Sequence, residues 1–225
     1  MVPAANPTLA VRALRYQWPG HPDFVLNVPD FTVDRGQSLF LHGPSGSGKS
    51  TLLNLLGGVL QPQAGHIELL GQVISDWPAR RRDAFRADHI GFIFQQFNLI
   101  PYLSLLDNVL LPCRFSRRRA DRAGQPVEAA AALLHALEIA TELHARPAHT
   151  LSVGQQQRVA AARALIGGPE ILIADEPTSA LDAGRQSAFV DLLLAQASAH
   201  HSSVVLVSHD LHLARHFSAV RALNG

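Results

Sequence analysis

The stretch Gly43-Pro44-Ser45-Gly46-Ser47-Gly48-Lys49-Ser50, followed by Thr51, satisfies the pattern G-x-x-x-x-G-K-[ST] at every specified position. Its chemistry is anion binding. Glycines take up φ > 0 and turn successive N–H groups inward around a phosphate, and a helix starting at the lysine adds its positive N-terminal end. Lys49 suits the β- and γ-phosphates of a nucleotide, and the Ser50 hydroxyl suits Mg²⁺. Two further polar clusters close apolar runs: Asp175-Glu176 follows Ile171-Leu172-Ile173-Ala174, and Ser208-His209-Asp210 follows Val204-Val205-Leu206-Val207. In such an acidic pair the first carboxylate can hold a metal ion and the second can orient or deprotonate water. Taken alone, the pair reads equally well as acids drawn to a helix N-terminus by its dipole.

These groups need a scaffold that brings them to one place. The phosphate loop lies between an apolar run, Ser38-Leu39-Phe40-Leu41-His42, and a stretch from Thr51 to Leu56 with leucines at helical spacing. Strand, loop and helix are therefore expected in that order. The runs at 171–174 and 204–207 are short and uninterrupted, as strands of a parallel sheet covered on both faces should be. Ile90-Gly91-Phe92-Ile93-Phe94 has the same character and ends at Gln95-Gln96. Ligands of open α/β sheets sit beyond the carboxyl ends of the strands, so Lys49, Gln95, Asp175, Glu176 and His209 are expected at one edge.

Around this core, residues 9–36 read as short antiparallel strands with turn signals at Pro19-Gly20-His21-Pro22 and Asp34-Arg35-Gly36. Gly57-Gly58 ends the first helix, and a further strand is expected from Gly65 to Gly71. A polar helix spans about Pro78 to Ala87, with Arg80-Arg81-Arg82 expected on a solvated face. From residue 98 to 164 the pattern becomes helical, through Leu103, Leu106, Val109 and Leu110 and again through Ala130, Leu133, Leu134 and Leu137. The polar middle of this insert, from Ser116 to Pro126, is expected to be a flexible interhelical loop.

Composition sets the bounds. A chain of 225 residues, 47% hydrophobic, is long enough for one large α/β domain with an inserted subdomain. Nineteen basic against 18 acidic side chains give a net charge of +1, which argues against nucleic acid as a partner. The single cysteine, Cys113, excludes an internal disulfide framework and suits a reducing compartment. The N-terminus has no basic segment followed by an apolar stretch, so no signal peptide is expected. No apolar run approaches the roughly 20 residues needed to span a bilayer, so direct membrane insertion is not expected.

Between the insert and the Asp-Glu strand lies Leu151-Ser152-Val153-Gly154-Gln155-Gln156-Gln157-Arg158. Ser152 followed by Gln155 is a capping-box spacing, and the alanine-rich stretch beyond has high helix propensity. A helix begins here. Its exposed N-terminus suits an anion, although the residues alone read as no more than a well-capped helix.

GPSGSGKST, the strand-end glutamine, LSVGQQQR, ILIADEP, SALD and VSHD occur in the order and approximate spacing of the ATP-binding cassette family, and the resemblance covers nearly the whole chain. GFIFQQFNLIPYLSLLDNV and the triple glutamine resemble the lipoprotein-releasing and macrolide-export subunits of that family. The resemblance implies an α/β fold of the phosphate-loop, RecA-like type: a mainly parallel core, an N-terminal antiparallel β subdomain and a helical insert. It implies one domain over residues 1–225, with 1–97 and 165–225 forming the β subdomain and nucleotide-binding core and 98–164 the helical signature subdomain.

It also implies roles. Gly43, Pro44, Ser45, Gly46, Ser47, Gly48, Lys49, Ser50 and Thr51 would bind ATP, with Mg²⁺ held by Ser50, Gln95 and Asp175. Glu176 would be the general base, His209 the contact to the γ-phosphate, and Gln95 a mobile glutamine reporting to a membrane partner. Ser152, Val153, Gly154 and Gln155 would close over the ATP of an opposite subunit, and Asp182 would couple the two sites. Trp18 is expected to stack on adenine, with Tyr16 as the alternative. Val153 departs from the family, which has glycine there; a β-branched residue resists φ > 0 and adds bulk near the opposing nucleotide.

The implied protein is an ATPase that forms a homodimer around two ATP molecules and drives a separate transmembrane permease from the cytoplasmic face of the membrane. One alternative is an ATP-driven switch on a membrane scaffold without transport, as in cell-division relatives. A small-molecule kinase or GTPase is the other; the sequence offers no Asn-Lys-x-Asp motif, and Asp175, Glu176 and His209 favour water as acceptor.

Overall fold

A computed structural model describes residues 7–20 and 25–223. The second half of the first turn signal, His21 and Pro22, lies outside them. The chain opens with β1 (Leu9–Gln17), β2 (Val25–Val28) and β3 (Phe31–Val33), then β4 (Ser38–His42), α1 (Lys49–Leu56), β5 (Ala64–Leu69) and β6 (Gln72–Val73). Next come α2 (Ala79–His89), β7 (Ile90–Ile93), α3 (Leu105–Phe115), α4 (Arg117–Ala123), α5 (Pro126–Ala136) and α6 (Val153–Leu165). It closes with β8 (Ile171–Asp175), α7 (Ala183–Ala199), β9 (Ser203–Val207) and β10 (Ala219–Ala222).

Two sheets result. One is antiparallel, in the order β2-β1-β5-β6, with β3 also pairing β1. The other is wholly parallel, in the order β10-β4-β9-β8-β7.

The period-2 geometry of a strand explains why the parallel runs are apolar at every position. Along β8, Ile171 and Ile173 enter the cluster formed with α1 and the antiparallel sheet, whereas Leu172 and Ala174 enter the cluster formed with α3, α5, α6 and α7. Val205 and Val207 of β9 divide from Val204 and Leu206 in the same way, as Leu39 and Leu41 of β4 divide from Phe40. The parallel sheet is thus the shared wall of two cores, and its carboxyl edge is the rim where both meet solvent.

The stretch expected as a flexible loop between Ser116 and Pro126 instead contains α4. Ser116 caps it, its hydroxyl accepting from the Arg119 N–H at 3.0 Å and donating to Asp88 Oδ1 at 2.5 Å. Arg119, 2% exposed, holds α4 to the core by donating to the carbonyls of Ala164 (2.6 Å), Ile166 and Ile90 (3.4 Å). Burial lowers its pKa to about 10. The backbones meet closely here, since a Cβ on Gly167 would lie 2.4 Å from the Arg119 carbonyl oxygen. Arg119→Met keeps the aliphatic stem but leaves these helix-end and strand-end carbonyls without a donor. It should destabilise the fold by about 2–4 kcal/mol, read as a lowered urea midpoint at unchanged slope. A midpoint equal to the parent's would show the guanidinium to be dispensable.

Of the arginines of α2, Arg80 and Arg81 are exposed as expected, and Arg82 departs from the expectation. Arg82 is buried and donates to the carbonyls of Gly58 (3.0 Å) and Trp77 (2.5 Å), and Arg81 stacks over the Trp77 ring at 3.7 Å. Polar residues followed by no apolar stripe read as a solvent face, but here the carbonyls of the turn after α1 recruit one of them inward.

Candidate nucleotide site

The phosphate loop leaves β4 at Gly43, where no side chain fits: a Cβ would meet the Leu223 carbonyl oxygen at 2.4 Å and Ser47 Oγ at 2.8 Å. Gly46 and Gly48 take φ of +81° and +87°, a region open to glycine at little cost. Gly48 is the N-cap of α1, so the first helical residue is Lys49 itself. The Lys49 ammonium curls back over the loop and donates to the carbonyls of Gly43 and Pro44, both at 2.9 Å.

A cleft of about 890 Å³ opens over this turn. Ser45, Gly46, Gly48, Lys49, Ser50 and Thr51 form its floor, and Gln95, Glu176 and His209 reach it from the ends of β7, β8 and β9. The expected convergence on one sheet edge is therefore seen.

Glu176 is the first residue past β8. Its N–H donates to the Val207 carbonyl at 3.0 Å, and its φ of +45° is uncommon for a residue with a side chain. That bend turns the carboxylate into the cleft, where Oε2 lies 2.9 Å from His209 Nδ1. Glu176 holds the His209 imidazole above its usual 6.5, with Asp210 assisting and Lys49 opposing. The charged pair is therefore fullest below pH 6.5 and fades as pH rises through the raised value. Beside Glu176, burial pushes the Asp175 carboxyl up, opposed by a hydrogen bond from Ser50.

Trp18 settles on the rim. It is 39% exposed, lines the cleft, and donates from Nε1 to Thr51 Oγ1 at 3.2 Å. Tyr16, the alternative, is buried at the end of β1 and supports the indole edge-on at a centroid distance of 5.3 Å.

The remaining residues lie elsewhere in the chain. Ser152 caps α6, accepting from the Gln155 N–H at 3.3 Å while Gln155 Oε1 accepts from the Ser152 N–H at 3.0 Å. Ser152, Val153, Gly154 and Gln155 border a groove of about 440 Å³ with Leu181 and Arg185, apart from the phosphate cleft. The strain expected of Val153 is absent: it is the first residue of α6, outside the positive-φ residues, and its side chain is half-exposed. A helical N1 position asks nothing that valine resists. Asp182 caps α7, accepting from the Arg185 N–H at 3.1 Å.

Sequence reasoning missed Gln186. It is buried, and its Nε2 donates to the carbonyls of Thr178 (3.2 Å) and Leu181 (3.1 Å) and to Asp210 Oδ2 (2.9 Å). A glutamine one turn into a helix carries no signal of burial.

A phosphate-binding turn at the head of a parallel sheet, with a carboxylate and an imidazole facing it from neighbouring strand ends, defines a nucleoside-triphosphatase of the phosphate-loop class. Comparison with known proteins narrows this. The family model described as ABC transporter matches residues 26–179, and the chain belongs to that family as its ATP-binding, ATP-hydrolysing component. It is 41% identical over 206 residues to the Escherichia coli protein called "Uncharacterized ABC transporter ATP-binding protein YbbA", covering 91% of this chain and 89% of that one. It is 39% identical over 216 residues to the "Macrolide export ATP-binding/permease protein MacB" of Rhodopseudomonas palustris, where it covers 93% of itself and 32% of that protein. Among solved structures it resembles the dimeric post-hydrolysis state of the ATP-binding cassette MJ0796 bound to ADP and phosphate. That likeness has a TM-score of 0.77 at 32% identity and covers 96% of this chain and 94% of the other.

Proposed function

We propose that two copies of this chain close around two ATP molecules, hydrolyse them, and drive a separate transmembrane permease from the cytoplasmic face of a membrane. The observation that carries the reading is the pairing of Glu176 with His209 over the phosphate loop. In the proposed reaction, water attacks the γ-phosphorus, Glu176 takes its proton, and the bond to the β–γ bridging oxygen breaks to leave ADP. His209 contacts the γ-phosphate, Gln95 orients the water, and the loop amides of residues 43–51 with Lys49 hold the phosphates. Trp18 stacks on adenine.

Mg²⁺ fits this site. Asp175 Oδ1 is buried without a partner, Ser50 stands beside the same carboxylate, and Gln95 faces the cleft: hard oxygen donors too few to cage a cation alone, as Mg²⁺ on a nucleotide requires. When bound, the ion would neutralise charge on the β- and γ-oxygens.

Ser152, Val153, Gly154 and Gln155 bind the ATP of the opposite subunit, and Asp182 couples the two sites. That Ser152, Val153, Gly154 and Gln155 border a groove separate from the phosphate cleft in one chain supports such a division of labour. We divide the chain into a β subdomain and core, 1–97 and 165–225, and a helical signature subdomain, 98–164.

The permease would dock where α2, β7 and α3 leave a groove of about 420 Å³ whose apolar part is formed by Val59, Phe92, Phe94, Leu111, Pro112 and Phe115, with Asp83, Arg86, Arg119 and Arg163 also lining it. Phe94 precedes Gln95 and stacks on Phe92 at 4.4 Å, so an occupant of the groove touches the residue next to the water-orienting glutamine. No helix among the described residues is long and apolar enough to cross a membrane. The test is affinity isolation from native membranes in detergent. A polytopic protein should be recovered with the parent chain and lost with Phe94→Asp or Phe115→Asp; recovery of soluble proteins alone would overturn the permease reading.

A further inference from the structure

We infer that Gln186 is a positioning residue for hydrolysis: it ties the loop after Glu176 to the loop carrying His209, and by holding Asp210 it keeps the outer face of the His209 ring available to substrate. This rests on the assignment of Glu176 and His209 above.

The geometry of Gln186 is unusual in having one solution. All three groups facing its amide, the carbonyls of Thr178 and Leu181 and the carboxylate of Asp210, are acceptors. Only the NH₂ end can face them, so the orientation of the amide is dictated by its neighbours. With two hydrogens for three acceptors the clamp is shared, while its own Oε1 and the Thr178 hydroxyl are buried without partners. Buried polar groups are rarely left so, and their gathering on the segment that follows Glu176 marks it as a place where a second arrangement is within reach.

What the clamp controls is visible at Asp210. Its Oδ2 takes the Gln186 bond at 2.9 Å, and its Oδ1 stands 3.8 Å from His209 Nε2, beyond hydrogen-bond distance. His209 Nδ1 is meanwhile engaged by Glu176 at 2.9 Å. The ring is therefore held on one side and left open on the other, the side from which it can donate to a phosphate. Without the Gln186 donor, the Asp210 carboxylate has a nearby cation to turn to, and it closes on Nε2. The groups facing the imidazole are then Glu176, Asp210 and Lys49, two anions against one cation. The Thr178 and Leu181 carbonyls lose the same donor, so the segment leading to Asp182 loosens in the same event.

Gln186→Met keeps the unbranched shape and removes the donor. It should lower kcat at least about tenfold, with KM for ATP within about twofold, because an interaction serving the reacting state is lost while the phosphate loop is untouched. The second readout is the His209 imidazole, titrated by NMR without nucleotide: its pKa should rise in Gln186→Met and fall again in the double variant Gln186→Met with Asp210→Asn. A merely structural role would lower stability without moving that titration. If Gln186→Met does not fold, Gln186→Asn, whose shorter side chain withdraws the amide from Asp210 Oδ2, must reproduce both the loss of kcat at unchanged KM and the raised His209 titration. A kcat within twofold of the parent, or a His209 titration that does not move, overturns the inference. Should Glu176→Gln hydrolyse at the parent rate while Gln186→Met is slow and shifted, the assignment of Glu176 falls and that of Gln186 stands.

Discussion

Glu176→Gln should hydrolyse ATP about 10²- to 10⁴-fold more slowly than the parent, the range ascribed to a positioned base, while binding ATP with an unchanged dissociation constant. The substitution is nearly isosteric, and the backbone that places residue 176 does not depend on its charge. The N–H to the Val207 carbonyl persists, as does the left-handed φ of +45°, which the neighbouring strand ends impose. A glutamine oxygen can still accept from His209 Nδ1, so the pairing geometry seen at 2.9 Å survives. What disappears is a group able to take a proton from water. Bound ATP is then not consumed, and two copies should accumulate as a closed dimer, detected by size-exclusion chromatography in ATP and Mg²⁺. Removing the carboxylate also lets the His209 titration fall back toward 6.5, the direction opposite to its present displacement by Glu176. Phosphate release at the parent rate would place the base elsewhere; retained binding without a dimer would remove the two-subunit arrangement.

The parts of this site that were legible in the sequence are those whose spacing is fixed by one element. A phosphate loop needs its glycines, lysine and serine within a single turn, so pattern alone located them. Parallel strands buried on both faces must be apolar throughout, so 171–174 and 204–207 stood out and carried Glu176 and His209 with them. Trp18 and Tyr16 show where such reading stops. Two positions apart they share a strand face by periodicity, yet β1 ends at Gln17, so Tyr16 is buried and Trp18 reaches the rim. Less legible still were polar side chains that become buried by serving distant backbone. Arg119 meets carbonyls 45 and 47 residues away, and Gln186 meets a carboxylate 24 residues away. Their burial follows from tertiary closure, and no local period announces it. Val153 shows the reverse: the glycine of the family pattern raises the question of backbone strain, and an ordinary helical position accommodates valine as a tolerated replacement.

Lys49→Ala should act on binding where Glu176→Gln acts on chemistry. Lys49 is the one lysine or arginine among the described residues lining the cleft, and it sits at the N-terminal end of α1 beside the loop amides. Its ammonium now donates to the carbonyls of Gly43 and Pro44 at 2.9 Å, which keeps it folded over the turn that would receive phosphate. A charge-assisted hydrogen bond contributes about 1.5–3 kcal/mol, so its loss should weaken ATP binding about 10- to 100-fold. Salt should weaken the parent's binding more than the variant's, since the missing term is the Coulombic one. The fold should be little affected, because Gly43 still fits where no Cβ can and the carbonyls freed at the loop face an open cleft. Equilibrium dialysis with labelled ATP, beside a thermal melt, separates these effects. An unchanged dissociation constant would mean that the backbone amides and the helix end hold the nucleotide by themselves, and that Lys49 acts only as charge develops during hydrolysis. The two variants then differ in kind: with Lys49→Ala the deficit is overcome by raising ATP, whereas with Glu176→Gln no concentration of ATP restores turnover.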